Sequence, residues 1–396
     1  MISVAEALAH CLALAQLLPV DQVPLRQAAN RWLAEPALAR RDQPPFDASA
    51  MDGYALQGDP LPGASFTVTG EAGAGHAFDG TLGPGQALRI FTGAPVPAGA
   101  TRVVIQEDVE RTGDTITVKP GADIAPHIRP RGQDFAASFA LAPRRLRPAD
   151  LGLLAAMNLS HVPLRRRPVV AILPTGDELV QPGDSPRPDQ IPSSNGVMLA
   201  AIAEAEGAQV RLLPIARDRL DEMQALLTMA LDADLIVTIG GASVGDHDLV
   251  AKAAEGLGLQ RNFWKISMRP GKPLMAGRIG QSVLLGLPGN PVSAFVCAHL
   301  FLRPMLRAMQ GDPDPAPAPL RATLAVDIGE TGPRTHYMRA KLDMRAKLTG
   351  TPPVITPFPR QDSALLTVLA EADALLIRPH GDGPRKAGDA VDYLPL

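Results

Sequence analysis

Apolar residues at the start of the chain recur with helical spacing. Val4, Leu8, Cys11, Leu12, Ala15 and Leu18 fall on one face of a helix predicted over residues 3–18. Ser3 and Glu6 fit a capping box, each side chain satisfying a free backbone N–H, and Pro19 ends the helix. From residue 44 to residue 134 the pattern changes. Glycines and prolines separate short runs, Ser65–Thr69, Ala87–Phe91, Arg102–Gln106 and Thr115–Val118, as in a small all-β domain. A basic, proline-marked stretch at 143–148 then leads into a short helical run, Ala149–Met157.

Residues 168–309 alternate between the two periods. Strands are predicted at Val169–Leu173, Gln209–Leu213, Asp234–Ile239, Asn262–Ser267 and Ser282–Leu285. Helices are predicted at Gly196–Glu206, Arg219–Leu231, Leu249–Gly256 and Val292–Met309. Ser193, Ser194 and Asn195 are cap candidates, Gly207 is a stop signal and Pro304 a kink. This order implies a mainly parallel sheet with both faces covered. Ligands of such sheets bind beyond the carboxyl ends of the strands. Those ends carry Pro174–Glu178, Gly240–Asp248, Arg269–Lys272 and Pro288–Pro291. Gly311–Pro319 is a proline-rich, semi-extended linker, and residues 320–396 again read as short strands and turns.

The length of 396 residues suits two to four domains. The 36 glycines and 40 prolines predict many ordered loops. A net charge of −3, with no basic run longer than Arg165-Arg166-Arg167, disfavours a nucleic-acid binder. That short run reads as a solvated segment before a strand. Only two cysteines, Cys11 and Cys297, are present, so a disulfide framework and a cysteine zinc site are excluded and a reducing, cytoplasmic setting is expected. No unbroken apolar run reaches membrane-spanning length, and the N-terminus does not read as a signal peptide. The chain has seven lysines against 31 arginines, and Lys265 and Lys272 stand close together.

Several loops carry candidate chemistry. In Gly240–Asp248 the glycines Gly240 and Gly241 permit close backbone approach. The helix start that follows favours an anion, and Asp246 and Asp248 suit a hard cation. The bland alternative is a tight turn whose acids cap the helix. The same loop contains Gly241-x-Ser243-x-Gly245, which matches a serine-hydrolase nucleophile elbow, yet no oxyanion segment of the HGGG kind precedes it. Asp177 and Glu178 can aim at one cation or serve as first-turn acids of a helix. Lys265, Arg269 and Lys272 suit a substrate with several anionic groups, or simply solvate the surface. Pro288-Gly289-Asn290-Pro291 combines a ligand-approach glycine with a helix start, Asn290 at the N-cap and Pro291 at the first position. Read alone, the turns at Asp52, Thr92 and Asp134 are ordinary. The eight histidines show no metal-ligand spacing.

Taken together, the segments PPFDASAMDGYAL (44–56), RIFTGAPVPAGATRVVIQED (89–108), RPRGQDF (129–135), TGDELV (175–180), SSNGVML (193–199), GGASVGDHD (240–248), WKISMRPGKP (264–273) and GLPGNPVSAF (286–295) resemble the molybdopterin molybdenumtransferase family, which includes the E domain of gephyrin. The resemblance spans most of the chain in order. It implies a multi-domain α/β protein with four domains, forming an elongated homodimer. These would be a discontinuous N-terminal dimerisation domain (1–45 and 135–167), a β-rich inserted domain (46–134), a central three-layer α/β/α molybdopterin-binding domain with a mainly parallel sheet (168–312) and a small C-terminal β domain (313–396).

The implied reaction inserts molybdenum from molybdate into adenylylated molybdopterin, with Mg²⁺ as cofactor and release of AMP. By motif, Glu178, Asp246 and Asp248 belong to the metal region. Asp52, Thr92 and Asp134 would act from a facing subunit, and Asp218 from a strand end. Lys265, Arg269 and Lys272 would neutralise anions. Gly240, Gly241, Ser243, Pro288, Gly289, Asn290 and Pro291 would line the pterin–phosphate pocket, with Ser363 and Arg334 as further candidates. Arg269 stands where the family commonly has lysine, a planar fork in place of a point charge, and His247 occupies a variable position. Contacts with other cofactor-biosynthesis enzymes and recipient molybdoenzymes are also implied, with no nucleic acid and no membrane. A molybdopterin adenylyltransferase and a non-catalytic molybdopterin carrier or scaffold remain alternatives.

Overall fold

The computed structural model describes residues 1–240, 249–345 and 351–396. Gly241, Ser243, Asp246, His247 and Asp248 therefore lie outside the described residues. The chain divides into two compact units, Met1–Val20 with Arg165–Leu396, and Asp21–Leu164.

The first unit is built on a six-stranded sheet. Its order is Gln209–Leu212, Val169–Pro174, Leu235–Ile239, Ser282–Leu287, Met275–Ile279 and Gln260–Trp264. The first four strands are mutually parallel; Met275–Ile279 pairs antiparallel with Ser282–Leu287, and Gln260–Trp264 pairs antiparallel with Met275–Ile279, so it runs in the same direction as the first four. Alternation of side chains separates two cores. Val170, Ile172, Leu235, Val237 and Leu285 pack with helices Val4–Leu14, Ser194–Ala205 and Pro291–Met309. Ala171, Leu173, Ile236 and Leu284 face the opposite cluster, with helices Leu220–Met229 and Leu249–Gly256.

The strand Met275–Ile279 escapes the periodicity analysis because Gly277 and Gly280 break its apolar run. Gly280, at φ +57°, turns it tightly into Ser282–Leu287, as a two-residue hairpin requires. The expected strand Asn262–Ser267 ends instead at Trp264, because Lys265 leaves the extended region at φ +78°.

The first helix keeps its capping box but stops at Leu14. Residues beyond it extend so that Leu18 enters the core and its N–H reaches the Met309 carbonyl. The last helix, Pro291–Met309, has the length and apolarity of a membrane span, with mean hydropathy 1.2, but 78% of it is buried inside the protein. It behaves as a core helix. A wider π segment, Ala298–Leu302, precedes Pro304, which has no N–H to give to the helical ladder.

Two charged clusters fasten this unit. Arg166 is not merely solvated: it makes a two-pronged pair with Asp234, whose carboxylate also accepts the Val169 N–H at 2.7 Å. Glu206, 4% exposed, accepts from Arg303 at 2.7 Å and from Arg307 at 3.1 Å. Burial pushes its carboxyl up, but the two guanidinium groups outweigh this and hold it below the usual value.

The same unit carries a second sheet. Thr335–Asp343, Val354–Pro357, Leu320–Leu324, Ala390–Pro395 and Ala374–Arg378 pair in sequence, and the last returns to the first, closing a small barrel. Met268–Arg269 adds to its edge, setting Arg269 in register with His336.

The unit Asp21–Leu164 contains a six-stranded mixed sheet ordered Arg102–Ile105, Gly53–Leu56, Gln86–Ile90, Ser65–Ala72, Thr115–Val118 and Val109–Thr112. The short helix Pro148–Ala156 and residues such as Leu33, Leu141 and Leu164 form a separate core.

Candidate active site

The candidate site is a cavity of about 1060 Å³ at the carboxyl ends of the parallel strands. It gathers Glu178, Asp218, Gly240, Pro288, Gly289, Asn290 and Pro291 from the sequence-derived set. Thr175 anchors one wall. It is buried, and both its N–H (3.0 Å) and its hydroxyl (3.1 Å) donate to the Ile239 carbonyl at the end of the neighbouring strand. Gly240 follows at φ +91°, and a Cβ there would stand 2.9 Å from the Thr175 carbonyl oxygen, so glycine is required by both conformation and space.

Asp177 and Glu178 do not act as a pair. The Asp177 carboxylate accepts the Asp218 N–H at 3.1 Å, while Glu178 lines the cavity with its carboxylate folded back over Gly176. The loop holding them is braced by Arg217, whose guanidinium donates to the carbonyls of Gly176, Asp177 and Leu179 at 3.3, 3.1 and 2.9 Å. Sequence reasoning missed Arg217. It belongs to no motif, and its partners are main-chain carbonyls.

Asn195 was expected only as a helix cap. Its amide instead donates to the Gly289 carbonyl at 2.6 Å, tying the start of helix Ser194–Ala205 to the loop before Pro291. Asn290 holds the N-cap position, and its carbonyl accepts the Ala294 N–H at 2.9 Å, but its side chain makes no cap bond. The barrel adds Ala364 and Leu366 to the wall, and the Ser363 carbonyl accepts the Val292 N–H at 3.0 Å.

The cation set does not line the cavity. Pro273, next to Lys272, does. Lys265 places its ammonium 4.6 Å from the centre of the Trp264 ring. The Ile266 N–H donates to the Lys272 carbonyl at 3.0 Å, closing the turn that holds Arg269. Arg269 and Arg334 lie in the electrostatic neighbourhood of His336. Burial, and then the charges of Arg269, Arg378, Arg339 and Arg334, push that imidazole down to about 4, so it is neutral near pH 7.

In the other unit, Asp52 and Thr92 meet directly. One Asp52 oxygen accepts both the N–H and the hydroxyl of Thr92, each at 2.7 Å. These bonds, the backbone one first, hold the Asp52 carboxyl below its usual value. The Asp134 N–H donates to the Gln43 carbonyl at 2.9 Å, and among the described residues no hydrogen bond joins Asp134 to Asp52 or Thr92.

Comparison with known proteins follows this geometry along the whole chain. Residues 2–158 match the MoeA N-terminal region (domain I and II), 171–308 a probable molybdopterin binding domain, and 321–396 the MoeA C-terminal region (domain IV). Molybdopterin molybdenumtransferase 2 of Mycobacterium tuberculosis is 39% identical over 82% of this chain and 84% of its own. A molybdopterin molybdenumtransferase of Staphylococcus aureus is 31% identical over 99% of this chain and 95% of its own. Two solved structures of MoeA proteins from Pyrococcus horikoshii cover all of this chain and 99% and 100% of their own, with TM-scores of 0.84 and 0.82 at 27% and 25% identity. The chain belongs to the molybdopterin molybdenumtransferase family.

Proposed function

We propose that the protein inserts molybdenum from molybdate into adenylylated molybdopterin, in a Mg²⁺-dependent step that releases AMP. The observation that carries this reading is the cavity itself. It is large enough for a pterin nucleotide, it opens where parallel-sheet proteins bind phosphorylated ligands, and Glu178 and Asp218 line it.

Those residues fit a magnesium ion. Mg²⁺ takes hard oxygen donors, commonly one or two carboxylates completed by substrate phosphate and water. Among the described residues no group of three or more acid, histidine or cysteine side chains gathers. Glu178 and Asp218 would hold the ion, with Asp246 and Asp248 proposed from the loop that follows Gly240. When bound, it would supply positive charge against the phosphoanhydride.

The chain's own groups do the rest. Gly240 and Gly289 let the backbone approach the substrate. Arg217 keeps Glu178 in place. Gly241 and Ser243 are proposed for the phosphate region. Lys265, Arg269 and Lys272 draw the anionic reactants toward the strand ends. The working form proposed is a homodimer, in which Asp52 and Thr92 of the partner subunit complete the site, with Asp134 of the partner subunit beside them.

The reaction is tested by mixing the protein with adenylylated molybdopterin and Mg²⁺, with and without molybdate. AMP release that depends on molybdate supports the reading. Equal release without molybdate contradicts it. The shared site is tested by mixing two inactive variants, Asp52→Ala and Glu178→Gln. Heterodimers regain about half a site set, and activity that stays absent argues against a site built from two subunits.

A further inference from the structure

Among the described residues, two helices begin with serine at the N-cap, and they treat it differently. Ser3 has ψ 164° and accepts the Glu6 N–H, completing a capping box. Ser193 has ψ 85°, and its hydroxyl makes no cap bond at the start of the twelve-residue helix Ser194–Ala205. Ser193 is only 6% exposed and lines the cavity. Among the described residues its hydroxyl has no partner, and the N–H groups of Ser194, Asn195 and Gly196 have none either. A helix start is normally capped, and a hydroxyl at its N-cap normally takes part in that capping. Here both are missing on the same cavity wall.

The placement is fixed from both sides. The Ser193 N–H donates to the Val180 carbonyl and the Ile191 N–H to the Glu178 carbonyl, both at 2.8 Å, so this helix start is tied to the Glu178 loop. On the other side Asn195 is tied to Gly289. Free N–H groups and the positive end of the helix dipole favour an anion, and a tetrahedral oxyanion can accept from several of them at once.

We propose that Ser193 and the first turn of helix Ser194–Ala205 form a subsite for a tetrahedral oxyanion of the phosphate class. The inference deepens the reading of this cavity as the substrate pocket and rests on it for its biological meaning. Both reactants offer such a group, the substrate's phosphate and molybdate, and the test separates them.

Inorganic phosphate and molybdate are titrated separately into the unaltered protein and into Ser193→Ala, Ser193→Thr and Ser193→Asp, with binding read by calorimetry and stability by thermal melting. Loss of one hydrogen bond predicts about a five- to tenfold weaker affinity in Ser193→Ala, restored in Ser193→Thr. Ser193→Asp places a carboxylate where the anion sits and should abolish binding, while melting stays unchanged or rises, because aspartate is a good N-cap. Loss for phosphate assigns the subsite to the substrate's phosphate, and loss for molybdate alone assigns it to the metal oxyanion. Unchanged affinity for both anions overturns the proposal. So does a failure of the unaltered protein to bind either anion, or an affinity loss matched by a falling melting temperature. Binding is read without turnover, so this outcome and the AMP-release outcome are independent.

Discussion

The side-chain amide of Asn195 donates to the Gly289 carbonyl at 2.6 Å, and this bond joins two segments 94 residues apart that both line the candidate cavity. Asn290, in the same loop, makes no side-chain cap bond. Asn195→Ala should therefore loosen the loop that carries Gly289. A net hydrogen bond is worth about 1 kcal/mol, so KM should rise about fivefold with little change in melting temperature. Steady-state kinetics beside a thermal melt check this. An unchanged KM removes the tether from the account.

Thr92→Val tests the second pairing. It deletes the hydroxyl donor to Asp52 and keeps the backbone N–H, which is the larger cause of the lowered carboxyl value. The native group is ionised to lower pH than an ordinary aspartate. Removing one donor moves its titration part of the way back up. Carboxyl NMR should follow that upward shift, and the acid limb of the rate profile should move to higher pH with it. A downward shift or none contradicts the assignment.

Glu206 makes a prediction for stability. Its native carboxyl is held below the ordinary value by Arg307 and Arg303, against the effect of burial. Its contribution is fully present above the unfolded-state value near 4.5 and is lost as pH falls through the lower native value. Removing one partner from a buried pair costs about 3–5 kcal/mol, and Glu206→Ala should show that loss in urea denaturation at pH 7. The gap between variant and parent should shrink as the pH is lowered through the acid range. A gap that stays constant with pH contradicts the ionic account.

Much of the scaffold was legible in the sequence, and the reasons are local. The apolar runs at Val169 and Leu235 sit between helical patterns, which fixes parallel crossovers. Ser3 with Glu6 gives the first helix start directly. What was not legible depends on long-range geometry. Strand Met275–Ile279 carries glycine because its backbone lies close to a neighbour, a Cβ at Gly277 falling 2.6 Å from the Gln260 carbonyl oxygen. Closure of the C-terminal barrel needs a pairing between its first and last strands that no periodicity encodes. The first helix could have joined any core, and it joins the sheet of the first unit.

The candidate site divides in the same way. Motifs found Glu178, Gly240, Gly289 and Asn290, which share one cavity. The loop reading also offered Asp177 beside Glu178, and one Asp177 carboxylate oxygen accepts the Asp218 N–H instead. Arg217 and Asn195 act through backbone carbonyls, which leave no residue-type signature in the chain.

The central claim is that the Glu178 cavity is where molybdenum insertion takes place. Its most direct test is molybdate-dependent AMP release by Glu178→Gln, measured beside the unaltered protein and beside binding of the adenylylated substrate. The account predicts retained substrate binding with AMP release reduced by about a hundredfold or more, as for loss of a group that acts in the transition state. Release at the parental rate from a well-folded Glu178→Gln protein would contradict it.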